Sequence, residues 1–300
     1  RRHYQQARVL CQALGDPPDL FPVLWGLWIA HAVAGELSTA EEFGGQLARF
    51  AQQRGDEDLA LQAHHALWTT LVARGELTTC QSHIEHGLQL YQPDRHFAQT
   101  FVYGGHDVGA CCRIHGGYLS WLLGYPDRAL RLSEEALALG TELSHGQTRA
   151  WALSGNAMVH HFRGEPFAAQ QAAEEAMALS TEHQFALWAA YSPAILGWAL
   201  IAQGNKEQGL VQTQVGLASL RATGTGLWQS QFMTLLASAY GETGQIREGL
   251  QVIDEALAAS ARNGERFYEA ELYRLRGELT LAGARGWGLG VRGWVSPPSP

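Results

Sequence analysis

An all-α solenoid of helical hairpins, about 40 residues per repeat, is the fold this sequence predicts, and three observations predict it. Gly124, Gly164, Gly204 and Gly244 are evenly spaced, and Gly35 and Gly75 repeat the same step. Each of these glycines ends one apolar-periodic stretch and precedes another, as a left-handed residue closing a helix does. Small residues recur five positions later, at Ala40, Cys80, Ala129, Ala169, Gly209 and Gly249, where two antiparallel helices have to approach closely. Composition agrees: helix formers such as Ala, Leu, Gln and Glu dominate, and no long stretch alternates apolar with polar residues.

Taken in order, the pattern predicts helices over 2–14, 20–34, 37–54, 56–73 and 76–91, then over 107–123, 126–143, 146–163, 166–182, 185–203, 206–222, 226–243, 246–263 and 265–282. The interval between Gly75 and Gly124 is longer than the others by about nine positions, so an insertion falls within YQPDRHFAQTFVYGGHD at 91–107 (about 92–106). Asp107 has the side chain to cap the helix that restarts the array. Pro126 and Pro166 fall in the first turn of their helices, where a missing N–H costs nothing. Glu134, Glu135, Ala136 and Leu137 recur as Glu174, Glu175, Ala176 and Met177, and as Asp254, Glu255, Ala256 and Leu257, at one fixed offset after each glycine. The segment 283–300, GARGWGLGVRGWVSPPSP, loses the repeat, has no acidic residue and carries five Gly and three Pro; it reads as a disordered tail foreign to the fold.

Function classes are narrowed by exclusion. A net charge of −8, with a single lysine at Lys206, offers no clustered basic face for direct nucleic-acid binding. Cys11, Cys80, Cys111 and Cys112 have no CxxC spacing, which suits a reducing cytoplasm. No apolar run reaches the roughly 18 residues of a membrane span. The absence of an initial Met predicts a piece of a longer protein. Lys206 is followed by Glu207, so there is no phosphate-binding GxxxxGK, and the GxGxxG of Gly288, Gly290 and Gly293 lies in the tail without strand or helix around it. Histidines are dense at His83, His86, His96, His106 and His115, yet no HExxH or paired Glu-x-x-His is present, so packing rather than a metal is the expectation. Cys111 with His115 lacks a third, orienting group in the sequence. No catalytic residue, metal or cofactor is expected.

The repeat resembles the tetratricopeptide repeat. Leu196, Gly197, Leu200, Gly204, Gly209 and Gly216 fit one copy, and Leu236, Ala237, Tyr240, Gly244, Gly249 and Ala256 fit another; the step here is longer than that family's own, which implies longer helices. The resemblance implies a right-handed superhelix over 1–282 whose concave face is lined at positions 13, 10, 6 and 3 before each glycine. Those positions hold Trp25, His65, Tyr118, Trp121, Trp151, Met158, His161, Tyr191 and Trp198. Such rings suit hot-spot contacts with a protein or peptide, and packing between neighbouring helices is the competing use of the same residues.

Four strings carry a second resemblance: YGGHDVGACC at 103–112, SWLLGYPDRAL at 120–130, ILGWALIAQG at 195–204 and GERFYEAELYRLRGEL at 264–279. They look like the C-terminal repeat region of bacterial proteins that carry an adenylate or guanylate cyclase domain and then an AAA-type ATPase. That resemblance implies a protein-interaction or regulatory scaffold, with the cyclase and ATPase domains of the same chain among its partners, and transfers no catalytic residue. The alternatives are a sensor arm of an NTPase-linked helix-turn-helix transcription regulator, or a small-molecule sensor, which would need a deep pocket with converging polar groups.

Overall fold

The computed structural model describes residues 2–13, 15 and 17–286. Fifteen α-helices and no strand occur among them. The chain runs α1 (Arg2–Ala13), α2 (Leu20–Val33), α3 (Leu37–Arg54), α4 (Glu57–Arg74), α5 (Leu77–Leu90) and α6 (Pro93–His96), with a 3-10 turn at Phe97–Phe101. It continues with α7 (Val108–Leu122), α8 (Pro126–Glu142), α9 (Gly146–Arg163), α10 (Pro166–Glu182), α11 (Ala186–Ala202), α12 (Lys206–Ala222), α13 (Gln229–Glu242), α14 (Ile246–Asn263) and α15 (Glu269–Gly286).

The helices form two layers. An inner row, α2, α4, α7, α9, α11, α13 and α15, packs neighbour on neighbour, and an outer row, α3, α5, α8, α10, α12 and α14, seats each helix between two inner ones. No helix is long and apolar enough to cross a membrane, among the described residues. The evenly spaced glycines all have positive φ, from +71° to +93° between Gly124 and Gly244, and so end the inner helices as expected. At α11 and α12 the small-residue column is at its tightest: a Cβ on Gly209 would lie 2.5 Å from the Gly197 carbonyl oxygen. Asp107 does cap α7, accepting from the Ala110 N–H at 2.9 Å.

Three differences from the sequence reading have one cause. Helix α13 begins at Gln229 and α15 at Glu269, both a turn later than expected, because the connections before them are longer than those before α9 and α11. The shift carries α15 on to Gly286, so residues 283–286 are helical and not a disordered tail. Residues 287–300, with the GxGxxG, lie outside the described residues.

The two long connections turn inward and clasp the far end of the chain. The Gly226 N–H and the Thr225 hydroxyl donate to the Val33 carbonyl at 2.7 and 3.1 Å, and the N–H groups of Arg266 and Phe267 donate to the Ala73 carbonyl at 2.9 and 3.1 Å. Val33 and Ala73 belong to the last turns of α2 and α4, where carbonyls have no partner inside their own helix. Loops from the last third of the sequence thus complete helix ends in the first quarter, and the concave side is covered by the chain itself.

Candidate functional site

All nine expected groove residues sit on inner helices: Trp25 on α2, His65 on α4, Tyr118 and Trp121 on α7, Trp151, Met158 and His161 on α9, and Tyr191 and Trp198 on α11. Six of them (Trp25, His65, Tyr118, Trp151, Met158 and Tyr191) are buried, so the inner face is not the open groove that an uncapped superhelix would present. The inward loops and the start of α13 cover part of it, and the insertion covers Trp25. Tyr118 packs edge-on to Trp228 and tilted against Phe267, the Met158 sulfur accepts from Gln231 at 2.9 Å, and His161 Nε2 lies 3.4 Å from the Tyr268 hydroxyl. Trp121 and Trp198 remain half-buried, stacked on Phe162 and edge-on to His161 respectively.

Beneath the loops the inner helices leave a cavity of about 400 Å³. Trp28, Trp151, Trp188, Tyr191 and Trp228 line it together with Leu227, and its polar groups are His65, His106, His115, Cys111, Thr69, Thr225, Gln147 and Gln184. Among the described residues, no Asp, Glu, Lys or Arg takes part. Trp151 and Trp188 stack at 4.5 Å between centroids with 26° between planes, forming one aromatic wall. His65, Trp151 and Tyr191 are the three expected residues that reach the cavity.

The insertion supplies what the sequence reading left out. Tyr103 anchors it between Phe21 and Trp25; Gly104 passes so close to Trp25 that a Cβ would meet its ring at 3.0 Å. The next turn delivers His106 to within 5.3 Å of the His65 ring and 6.2 Å of Trp188. Cys111, one turn into α7, places its sulfur 3.3 Å from His65 Nε2 and 3.3 Å from His115 Nδ1. His65, contributed by α4, therefore shares the Cys111 sulfur with His115, while His115 Nε2 has no orienting partner among the described residues. The sequence shows the single-turn spacing of Cys111 and His115 and, by the offset before Gly124 and Gly75, an inner-face place for Cys111 and His65; the pairings of α4 with the insertion and with α7 require the fold.

Burial sets the charge state of this cluster. Desolvation takes His106 and His115 down to about 4. It also takes His65 well below its ordinary value, with His106 and His115 adding repulsion, so all three imidazoles are neutral near pH 7. The Cys111 thiol is pushed up to about 12 by burial, while Trp68, Trp151 and Thr69 act on it in the opposite sense. His106 Nε2 and His115 Nε2 are buried without a hydrogen-bond partner among the described residues, whereas the indole N–H groups of Trp68 and Trp151 and the Thr69 hydroxyl face the Cys111 sulfur. Such groups cost about 1–3 kcal/mol each when left unpaired, so these two imidazole nitrogens in the cavity lining call for a partner.

No family model matches the chain. An uncharacterized protein of Rhizobium meliloti (strain 1021) is 22% identical over 281 residues, which is 93% of this chain and 27% of that protein. The chain therefore spans about a quarter of the length of the curated relative it matches. Among solved structures, BtubC (BKLC) from P. vanneervenii aligns over 77% of this chain and 92% of its own, at 16% identity and a TM-score of 0.49.

Proposed function

We propose that this chain is a regulatory arm of a larger multidomain protein and that it senses a small, uncharged, ring-bearing molecule in the interior cavity. The observation that carries the reading is a cavity of about 400 Å³ walled by four tryptophans and a tyrosine, with no charged side chain in its lining among the described residues. Its size falls in the range of small-ligand sites, and mostly apolar walls with a few convergent polar groups are what such sites have. Because inner helices α2, α4, α7, α9 and α11 and the clasp before α13 all contribute walls, a ligand there would stiffen the whole array, which is how a binding event could reach linked domains. The parent architecture in this reading is the nucleotide cyclase followed by an AAA-type ATPase that the four strings resemble, in a reducing compartment where the buried free thiols stay reduced.

The test uses Ala186, which lies exposed at the cavity edge, at the start of α11. A panel of indole, quinoline and adenine is screened by thermal shift on the wild type and on Ala186→Trp, which plugs the opening without altering the core. A ligand present at about 100 times its Kd should stabilise the wild type by about 2.7 kcal/mol and leave the plugged variant unmoved. Equal shifts in both proteins, or none in the wild type across the panel, would refute the reading.

A second reading keeps a protein or peptide partner. Tyr125 and Phe167 are 57% and 77% exposed at successive hairpin turns, so the aromatic contacts that a docking scaffold needs lie on its edge rather than in its groove. In that reading, Tyr125→Ser combined with Phe167→Ser releases the arm from its linked domains while ligand binding in the cavity is unchanged.

A further inference from the structure

We propose that His65 Nε2, His106 Nε2 and the Cys111 sulfur bind a divalent transition metal of the zinc class, leaving a fourth coordination position open to the interior cavity. This rests on the cavity being the ligand site and states what receives the ligand there: a heteroaromatic nitrogen is a donor for the open position.

One donor atom from each of the three residues lies within 4.8 Å of the other two. The 3.3 Å between His65 Nε2 and Cys111 Sγ is close to the roughly 3.6 Å edge of a tetrahedron built on Zn–S and Zn–N bonds of about 2.3 and 2.1 Å. The tautomers are fixed from outside. His65 Nδ1 faces the Gln62 side-chain oxygen at 3.2 Å and His106 Nδ1 faces the Gly104 carbonyl at 3.2 Å. An oxygen there accepts the Nδ1–H, so in both rings the Nε2 carries the lone pair. This is the outer-shell arrangement that orients metal-binding histidines.

His106 Nε2 is sealed from solvent with no partner, which a cation would supply. The His65 ring is held by Trp25, Trp28 and Trp68 at 5.3 to 5.9 Å, so little ordering remains to be done on binding. His115 supports from one step back: its Nδ1 lies 2.9 Å from the Cys111 carbonyl oxygen as well as 3.3 Å from the sulfur.

The donor set decides the metal. Two imidazoles and a thiol, with no carboxylate in the lining among the described residues, disfavour Mg²⁺ and Ca²⁺, which want oxygen, and suit borderline-soft cations. Three protein ligands with a vacant position is the pattern of receptive rather than closed structural zinc sites. On binding, the Cys111 S–H bond breaks, its proton leaves to solvent and its electron pair forms the metal–sulfur bond; no redox step is involved. A second histidine group is a natural control. His64 and His83 approach at 2.7 Å between Nδ1 atoms and His86 stacks on His64, but His86 Nδ1 is engaged by the Ser82 carbonyl.

The test is titration of the chelator-treated chain with Co²⁺ under reducing conditions, followed by absorbance. One Co²⁺ per chain is expected, with a thiolate-to-cobalt charge-transfer band that Zn²⁺ abolishes. Cys111→Ser removes the band. His106→Ala, a change in a loop rather than in a helix core, weakens binding by more than about 100-fold, beyond the about 10–100-fold that losing an outer-shell partner costs. His64→Ala binds as the wild type does. A wild type without the band, a band that persists in Cys111→Ser, or one that disappears in His64→Ala would overturn the proposal. If indole or quinoline still shifts the melting temperature while Co²⁺ gives no band, the metal falls and the ligand cavity stands; a band with no shift from any neutral ring has the opposite meaning.

Discussion

Glu265 enters the interior from the loop ahead of α15, and its carboxylate caps α13, accepting from the Ser230 N–H at 3.3 Å and from the Ser230 hydroxyl. Burial raises its pKa from 4.5 to about 7, against the pull of those donors. A raised acid pKa means the folded state holds the proton more tightly than the unfolded chain, so the stability tied to that proton is complete below pH 4.5 and lost as pH rises through 7. Glu265→Gln keeps an acceptor for Ser230 and cannot ionise. Urea unfolding should therefore find the variant more stable than the wild type at alkaline pH, by on the order of 3 kcal/mol at most, with the gap closing towards pH 4.5. A gap independent of pH would show that Glu265 is not the buried titrating group. The interior histidines work in the other direction. His106, His115 and His161 are all taken by burial from 6.5 to about 4, so the stability of their neutral forms is whole above pH 6.5 and drains away as pH falls towards 4. Several imidazoles outweigh one carboxyl, and both proteins should lose stability together on the acid side.

The helices themselves were largely legible before the structure, because a turn that demands a left-handed residue advertises itself when that residue is glycine. A second left-handed position, recurring at the same step, was not legible. Ser144 and Gln184 have φ of 51° and 60°, and Gly224 and Gly264, at the same place in the next two repeats, have 75° and 73°. Here the hidden positions are serine and glutamine, which pay for a conformation that Gly adopts freely, about 1 kcal/mol or somewhat more. Ser144 is exposed, so Ser144→Gly removes the strain without loss of packing. It should raise stability by roughly 0.5–1 kcal/mol in denaturant unfolding; a loss instead would mean that the flexibility gained by the unfolded chain dominates. The site was legible in part for a related reason. Period and offset placed His65, Trp151 and Tyr191 on the inner face, but His106 rides on an insertion that breaks the period, and its partners His65 and Cys111 belong to α4 and α7. Spacing leaves open whether the inner face packs or binds for the same reason: nothing in it says that the connections at 223–228 and 264–268 turn inward.

Closure changes what kind of molecule a hairpin solenoid is. In an open array each repeat touches only its neighbours, and its stability is close to a sum of local terms. Here backbone hydrogen bonds join repeats that are far apart in the chain, from Gly226 to Val33 and from Arg266 and Phe267 to Ala73. The two connections act as a clasp across the array, and the first of them carries Leu227 and Trp228 into the cavity wall. Gly226 is where this closure is most exposed to a single change. A Cβ there would stand 2.5 Å from the Ala34 carbonyl oxygen and 3.2 Å from the Gly35 nitrogen, neither of which can yield without unwinding the end of α2. Gly226→Ala should therefore break the two hydrogen bonds to Val33, at about 1 kcal/mol each, and speed amide exchange at that position by on the order of 30-fold, while far-ultraviolet circular dichroism keeps its helical amplitude. Because the opened clasp withdraws part of the cavity wall, the same variant should also lose the ligand-induced thermal shift of the wild type. Exchange no faster than in the wild type, or an unchanged ligand shift alongside fast exchange, would separate the clasp from the site and return the molecule to a simple sum of repeats.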